Sequence, residues 1–481
     1  MRSNSNRKKV LSGMFWKFSE RICAQLVSLV VSIVLARILD PDHFGIVSII
    51  LVFINIANVF VTSGFSSALI QKKDADSKDF STIFYFNIVF SAVIYALIFI
   101  FAPLVEKFYE MEYLSLAMRI LGLKIPISAV NSVQQAYVSR HMQFRKFFFA
   151  TIIGTIISAF VGIFMAYKGF GVFALVAQYL TNSTIDTVIL WFVVRWRPTR
   201  EFSFARMKGL LSYGWKVLAA DLIRAVYEDI YSLVIGKKYT SEDLAFYSKG
   251  KHYPQLIVTN VNTTISSVLF PALSKYQDDK VQLAKMMRRS IRTSSYILSP
   301  LMFGMAAVAE PLVRLVLTEK WLPCVPFLRV ACLYLLLMPM QSANLQAIKA
   351  IGRSDLTLKL EIAKRAVGII TLIITMQFGV MAIALGSVFV TIAASLLNAV
   401  PNKKLLNYSY FEQLMDMLPS FAMSLGMAVL VYLVGFLGLK DLPTLIIQVL
   451  LGAVLYIGFS ILTKNDNFKY ILSIFKRKKN Q

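Results

Sequence analysis

Apolar runs of about twenty residues, separated by short polar or basic stretches, recur along the whole chain. A run of that length crosses a hydrocarbon core of roughly 30 Å as an α-helix. The pattern predicts about fourteen spans, at 15–36, 44–68, 80–103, 115–138, 147–167, 172–194, 212–236, 245–271, 289–310, 325–350, 358–377, 380–400, 417–437 and 443–463. The segments at 115–138, 212–236 and 245–271 are the least apolar, and they are included because the chain otherwise fails to alternate sides. Ten-residue stretches of alternating polarity are absent, which argues against a membrane β-barrel. Residues 1–9 are basic, and the long run after them has no small-residue cleavage site. An uncleaved first span is expected rather than a signal peptide.

Composition sharpens this reading. Of 481 residues, 57% are hydrophobic and 16% charged, with a mean hydropathy of +0.64. A soluble domain carries about 25% charge, so the apolar excess must face lipid. The net charge of +25 would suggest nucleic acid in a soluble protein, but no nucleic-acid-binding module or basic repeat is present. Its distribution fits retention of basic residues on the cytoplasmic face. With fourteen spans, 32 of the 51 Lys and Arg residues fall on one side and 8 on the other. That split predicts an even number of spans, both termini cytoplasmic, in an inner or plasma membrane. The outer loops are short and leave no room for an outer catalytic domain, so an enzyme is not expected. Cys23, Cys324 and Cys332 show no metal-ligand spacing, and His43, His141 and His252 are far apart. Neither a metal nor another cofactor is expected, and no phosphate-binding loop for ATP is present.

The two halves echo each other at an offset near 200–210. Trp16-Lys17 matches Trp215-Lys216, and Leu35-Ala36-Arg37 matches Ile235-Gly236-Lys237, with Ser48 and Ser248 equally spaced after them. Pro103-Leu104-Val105 matches Pro311-Leu312-Val313, and Gln135-Ala136 matches Gln346-Ala347. The stretch from Phe170 to Leu175 matches that from Phe378 to Ile383. Six spans per repeat place the symmetry axis along the membrane normal. The expected fold is an all-α membrane protein of two pseudo-symmetric six-helix bundles, 1–200 and 201–405, followed by two further helices and a basic tail over 406–481. Such a body suits alternating access around a central site.

Charges inside spans are the candidate chemistry, because one at mid-bilayer costs at least about 2.5–3.5 kcal/mol unless it meets a partner or water. In the first span Lys17, Arg21 and Gln25 share a helix face with Ser28 and Ser32, beside Glu20. The seventh span carries Lys216, Asp221, Arg224, Glu228 and Asp229. Two readings stand open for these groups: snorkelling lysines and mutually neutralising pairs, or a wet interior in which Arg21 and Arg224 attract an anion. In the second reading Glu20, Asp221, Glu228 or Asp229 balance charge or exchange an ion. Lys249, Lys251 and His252 are expected near the outer end of the eighth span, as boundary anchors or as a phosphate-receiving wall. Arg119 and Lys124 face the same choice, with Arg329 as the repeat equivalent of Arg119. Asp186 is a lone acid in the sixth span, either a polar contact or a coupling site. Asn55, Asn58, Asn87, Asn131, Gln134 and Gln135 are expected to bond helix to helix. Arg supplies a fork of donors for phosphate and Lys a point charge. Tyr227, Tyr231, Tyr247 and Tyr253 offer rings for sugars or for packing.

Certain stretches resemble a known family: Leu35-Ala36-Arg37-Ile38-Leu39-Asp40-Pro41-Asp42-His43-Phe44-Gly45, Ser67-Ala68-Leu69-Ile70-Gln71-Lys72-Lys73, and Phe170-Gly171-Val172 with Ala174-Leu175-Val176-Ala177-Gln178. Val194-Arg195-Trp196-Arg197-Pro198, Tyr213-Gly214-Trp215-Lys216, the stretch Val268 to Ser274 and the stretch Ala309 to Leu315 complete the set. Together they resemble the polysaccharide-transport branch, Wzx-type flippases of the colanic and teichuronic acid kind, of the multidrug/oligosaccharidyl-lipid/polysaccharide (MOP) exporter superfamily. The resemblance implies a two-lobed fold. It also implies translocation of an undecaprenyl-pyrophosphate-linked oligosaccharide to the outer leaflet for surface polysaccharide synthesis. The headgroup would cross a cationic cavity while the lipid tail stays in the bilayer. Implied partners are that lipid, membrane lipid, a coupling H+ or Na+, and the polymerase and export machinery. The Glu228-Asp229 pair departs from the commoner Asn-Leu-Asp type of stretch, which puts the charge balance of the seventh span in doubt. The competing readings are an ion-coupled small-molecule exporter of the related MATE group, which calls for an acid-dominated site, and a membrane polymerase or ligase, which calls for a large outer loop.

Overall fold

The computed structural model describes the backbone of residues 2–63, 65–72 and 74–479, and the side chains of these except at 2–15, 67, 71, 213, 268, 354 and 474–479. Several expectations therefore lie outside the described side chains: the basic residues at 2–9, Lys73 and 476–479, and Ser67, Gln71, Tyr213 and Val268 of the family resemblance. The described chain is all-helical, without strands. It forms two compact units, residues 1–245 and 246–481.

The first unit contains α1 (Arg2–Ile38), α2 (Pro41–Thr62), α3 (Phe65–Gln71), α4 (Ser77–Tyr109), α5 (Leu114–Gly122), α6 (Lys124–Arg140), α7 (Phe144–Tyr167), α8 (Val172–Val193) and α9 (Phe204–Lys238). Helix α10 (Ser241–Ser274) begins in it and continues into the second unit. The second unit continues with α11 (Lys280–Ala307), α12 (Ala309–Leu317), α13 (Val325–Leu335), α14 (Met338–Ala350), α15 (Ser354–Thr375), α16 (Val380–Leu406), α17 (Tyr410–Leu433), α18 (Asp441–Leu462) and α19 (Asp466–Lys479). Short 3-10 turns precede α13 and follow α17.

Every predicted span coincides with a helix or a broken pair of helices. Among the described residues, ten helical stretches are long and apolar enough to cross a membrane, or eleven when the α11–α12 pair, bent by 69°, is counted as one. Helices α8, α9 and α15 fall outside that set because Asn182 and Asp186, the charges of 216–229, and Glu361, Lys364 and Arg365 interrupt them. The fourth predicted span is broken at Leu123 and the tenth near Leu336. Pro254 and Pro271 sit inside α10, as bilayer helices tolerate when neighbours satisfy the freed carbonyls.

Helix ends follow the local sequence. Asp76 caps α4, accepting from Asp79 N while the Asp79 carboxylate takes the Asp76 N–H. Ser409 and Glu412 make the same reciprocal box at α17. Each box satisfies two backbone donors that a helix start leaves open. Gly171 and Gly379 cap α8 and α16 with φ of +53° and +100°, values that only glycine adopts without strain. A Cβ on Gly171 would come within 2.9 Å of His43 Nε2, so two of the family-like stretches meet in space.

In the first unit α7 lies between α1 and α8, while α9 packs on α2, α3 and α4. Small residues set the α7–α8 approach. A Cβ on Gly154 would stand 3.3 Å from the Asn182 carbonyl, and one on Gly162 would stand 2.8 Å from Gln178 Cβ. Close backbone approach through small residues is how helices associate where burial against lipid gives no gain. In the second unit α17 runs along α11, α16 packs on α13, α14 and α15, and α18 packs on α12 and α17. Large side chains such as Phe160, Phe192 and Phe378 remain more than 70% exposed, the surface expected against acyl chains.

A charged cluster closes one end of the first unit. Lys72 Nζ bonds Asp79 at 2.7 Å, Arg206 of α9 reaches Asp79 at 3.3 Å, and Arg206 also pairs with Asp76. The hydrogen bond from Arg206 holds the Asp76 carboxyl down at about 2, against an ordinary 3.8. A lowered pKa contributes stability above the unfolded value and loses it as pH falls through the folded one. Asp76→Asn preserves the cap and removes the charge. It is expected to lower the thermal midpoint only slightly at neutral pH, because so exposed a pair contributes little. Melting curves of both proteins in detergent should converge between pH 3.8 and about 2; a gap that persists unchanged at the acid end would refute the linkage.

Candidate functional site

The residues predicted to carry function fall into separate groups, and each group is best understood from the helix that presents it. On α1, Lys17 Nζ bonds Glu20 Oε2 at 2.8 Å and lies 4.9 Å from the Phe147 ring. The partner of Glu20 is thus Lys17, one turn away, and the neighbouring Arg21 stays unengaged. Arg21 is half-buried and makes no hydrogen bond or ion pair among the described residues. Thr151 of α7 reaches the other Glu20 oxygen at 3.4 Å.

Asp186, isolated in the sequence, has company in the fold. Asn131 Nδ2 of α6 donates to Asp186 Oδ2 at 2.8 Å. Lys17 and Glu20 act on its charge, and Asp186 Oδ1 is buried without a hydrogen-bond partner. One turn earlier on α8, Asn182 donates to Thr155 and Ser158 of α7 at 3.3 and 3.4 Å. The result is a polar seam through α1, α7, α8 and α6 with two acids, one lysine and an arginine beside it. Such a seam can hold a proton or a small cation on its acids and reorganise when one is neutralised.

On α9, Arg224 Nη2 bonds Asp221 Oδ1 at 2.9 Å, with the arginine side chain 61% exposed and the aspartate 28%. Lys216 and Glu228 are exposed on the same helix, and Asp229 is half-buried and engaged. The stripe therefore keeps an accessible charged face along α9.

On α10, Lys249 is 8% exposed and lies 5.5 Å from the Trp321 ring, while Lys251 lies 5.5 Å from the Tyr247 ring. Both stand about two turns inside the helix, whereas the sequence pattern puts them near its end.

Arg119 and Arg329, paired by the sequence echo, share a device. Arg119 Nε donates to the Phe99 carbonyl at 3.0 Å, and Arg329 Nε donates to the Ala306 carbonyl at 3.2 Å. Each arginine caps a carbonyl of the preceding span. Lys124 opens α6 beyond the break and lies 5.9 Å from the Tyr179 ring.

Two buried polar groups escaped the sequence reading. Asp416 on α17, with its side chain 7% exposed, takes Arg288 at 2.8 Å as well as Arg292 and the Tyr408 hydroxyl. Asn344, Asn402 and Gln413, all fully buried, join α14, α16 and α17, with Asn402 Nδ2 donating to Asn344 Oδ1 at 2.7 Å and Gln413 Nε2 donating to it at 3.2 Å. Their sequence separations hide both; the only available signal is a polar residue at a helix position otherwise apolar.

A family model described as "Polysaccharide biosynthesis protein" matches residues 34–326. The teichuronic acid biosynthesis protein TuaB of Bacillus subtilis is 23% identical over 357 residues, 73% of each chain. The lipopolysaccharide biosynthesis protein WzxC of Escherichia coli is 24% identical over 435 residues, covering 90% of this chain and 88% of that one. Among solved structures, the lipid II flippase MurJ in an inward closed conformation has a TM-score of 0.76 at 15% identity, covering 94% of this chain and 99% of that one. An inward-facing multidrug resistance MATE transporter of the MOP superfamily has a TM-score of 0.60 at 14% identity, covering 83% and 96%. At such identities the structural likeness is one of fold.

The Asn131–Asp186 contact makes a direct prediction. Asn131→Leu strands a buried carboxylate and is expected to cost about 1–3 kcal/mol, whereas Asp186→Asn keeps a group that bonds Asn131 and should melt within a few degrees of the parent. Thermal unfolding in detergent checks both, and a neutral Asn131→Leu beside a strongly destabilised Asp186→Asn would reverse the assignment.

Proposed function

The chain belongs to the polysaccharide biosynthesis protein family, and from that premise we propose that it is a flippase for an undecaprenyl-pyrophosphate-linked oligosaccharide, carrying the headgroup from the inner to the outer leaflet of the cytoplasmic membrane. It is a multi-pass membrane protein whose family and fold are those of transporters and flippases rather than of catalytic enzymes. In this proposal fourteen spans form two six-span repeats, 1–200 and 201–405, with two further spans over 406–481 and both termini cytoplasmic. The repeats alternate access to a cationic passage.

One observation carries the reading: the exposed charges of α9. Lys216, Arg224 and Glu228 are exposed along one helix, and acyl chains would penalise each by at least about 2.5–3.5 kcal/mol. A water-filled passage removes that cost. Arg224 and the unengaged Arg21 then present guanidinium forks to pyrophosphate, a charge-assisted and directional contact. Lys249, Lys251, Arg119, Lys124, Lys17 and Lys216 add cationic character around the path. Glu20, Asp186, Asp221, Glu228 and Asp229 balance charge or exchange H+ or Na+ in step with the conformational cycle.

The test is reconstitution into vesicles with a fluorescent lipid-pyrophosphate oligosaccharide. Leaflet exchange is expected to exceed that of empty vesicles by at least about tenfold, and equal rates would end the proposal. The Arg21→Ala and Arg224→Ala double variant should remain in the membrane and lose exchange; parental rates would remove these arginines from the path.

A further inference from the structure

A polar cavity lies within the second unit. Its volume is about 230 Å³, and it is walled by α12, the flank of α13, the end of α17 and the start of α18. Arg314 spans it on one side, bonding Glu310 at 3.0 Å and Asp441 at 3.3 Å. Those acids balance its charge, while Arg314 Nε stays buried without a hydrogen-bond partner.

Arg329 is not balanced in this way. Its Nε caps the Ala306 carbonyl, its guanidinium lies 5.6 Å from the Tyr432 ring, and its Nη2 is buried without a partner. No acid pairs with it among the described residues. Gln448, also in the lining, is 1% exposed; its Nε2 donates to the Val431 carbonyl at 3.1 Å, and its Oε1 is buried without a partner. The lining thus holds unused guanidinium donors and an unused amide acceptor, hydrogen-bonding capacity that is costly to leave unmet. It is apolar in part as well: Phe436 and Leu439 are exposed.

We propose that this cavity binds the headgroup of a bilayer phospholipid, an anionic phosphodiester that also carries a hydroxyl. The phosphate oxygens accept from Arg329 and Arg314, the hydroxyl donates to Gln448 Oε1, and the acyl chains continue over the apolar residues. The amphiphilic lining, charged and apolar residues together, distinguishes a lipid from a soluble anion. The site shares no residue with the charged stripes of α1 and α9, so it stands whether or not the flippase reading does.

Native mass spectrometry of the detergent-purified full chain tests it, titrated with dioleoylphosphatidylglycerol, dioleoylglycerol and glycerol phosphate. The phospholipid should bind at least about tenfold tighter than either other probe. Arg329→Gln should lose at least about tenfold, equivalent to about 1.4 kcal/mol. Should that variant fail to fold, Gly435→Asp carries the test. Gly435 lines the cavity, and a Cβ there meets nothing nearer than Gln448 Nε2 at 3.7 Å, so its carboxylate should repel phosphate without disturbing the lipid-free melting point. Unchanged phospholipid binding in a folded variant overturns the proposal. Equal binding of dioleoylglycerol shows acyl-chain adsorption alone and overturns it. Equal binding of glycerol phosphate shows a soluble-anion site and overturns the lipid assignment.

Discussion

In hydrocarbon there is no water to hydrate a polar group, and every other feature of this protein answers to that constraint. Backbone groups are met inside helices, and side-chain groups must be met by neighbours. Lipid tails are as apolar as leucine, so burying leucine against leucine does little to choose one helix neighbour over another. The choice rests on close approach and polar bonding. Gly154 and Gly162 let α8 come near α7, and Asn182 then bonds Thr155 and Ser158 across the gap. Asn87 bonds Ser132 between α4 and α6 at 3.2 Å. In the second unit Tyr296, Ser460 and Tyr456 join α11 to α18, as Asn344, Asn402 and Gln413 join α14, α16 and α17.

The same constraint gives the charges their meaning. A charge with a nearby opposite partner is a packing element, as Asp416 is between two arginines of α11. Lys17–Glu20 and Asp221–Arg224 are pairs formed within one helix, at i and i+3. Such pairs neutralise a helix locally; α7 adds only the Thr151 hydroxyl and the Phe147 ring to Lys17–Glu20 and supplies no countercharge. Arg21 and Glu228 form no ion pair among the described residues, so hydrocarbon around them would be costly.

Span positions were readable because length and hydropathy are local properties. The interruption at Leu123 lies within one apolar run, so hydropathy does not show it; its local cause is Gly122 together with Pro126, which has no N–H for the Gly122 carbonyl. Gly171 and Gly379, by contrast, stood out as part of a repeated stretch, and their positive φ explains why glycine occupies both. Asp186 read as solitary because its donor, Asn131, lies on another helix 55 residues away. Lys249 and Lys251 read as terminal because α10 continues through Pro254. The cavity of Arg314 and Arg329 was invisible for a similar reason: its walls come from four helices, and of the two acids that meet Arg314, Asp441 is 127 residues distant.

The two stretches that echo each other in sequence share some local devices and differ in others. Gly171 and Gly379 both take a positive φ, and Arg119 and Arg329 each bond a carbonyl of the preceding span. Asp76 and Asp279 each cap a helix start, α4 and α11. Beyond the cap the two differ. The position three residues on is Asp79 in the first half and Gln282 in the second. Asp79 is the buried acid that anchors α4 to Arg206 of α9. Without that acid, α11 is anchored in the opposite sense: its own Arg288 and Arg292 meet Asp416 on α17. In each set the helix that follows six predicted spans, α9 or α17, is tied by an ion pair to the third of those spans, α4 or α11, with the signs exchanged. A buried pair needs opposite charges and sound geometry, but either helix can supply either sign. Complementarity across the contact is therefore what the two arrangements have in common, while the helix that supplies each sign differs.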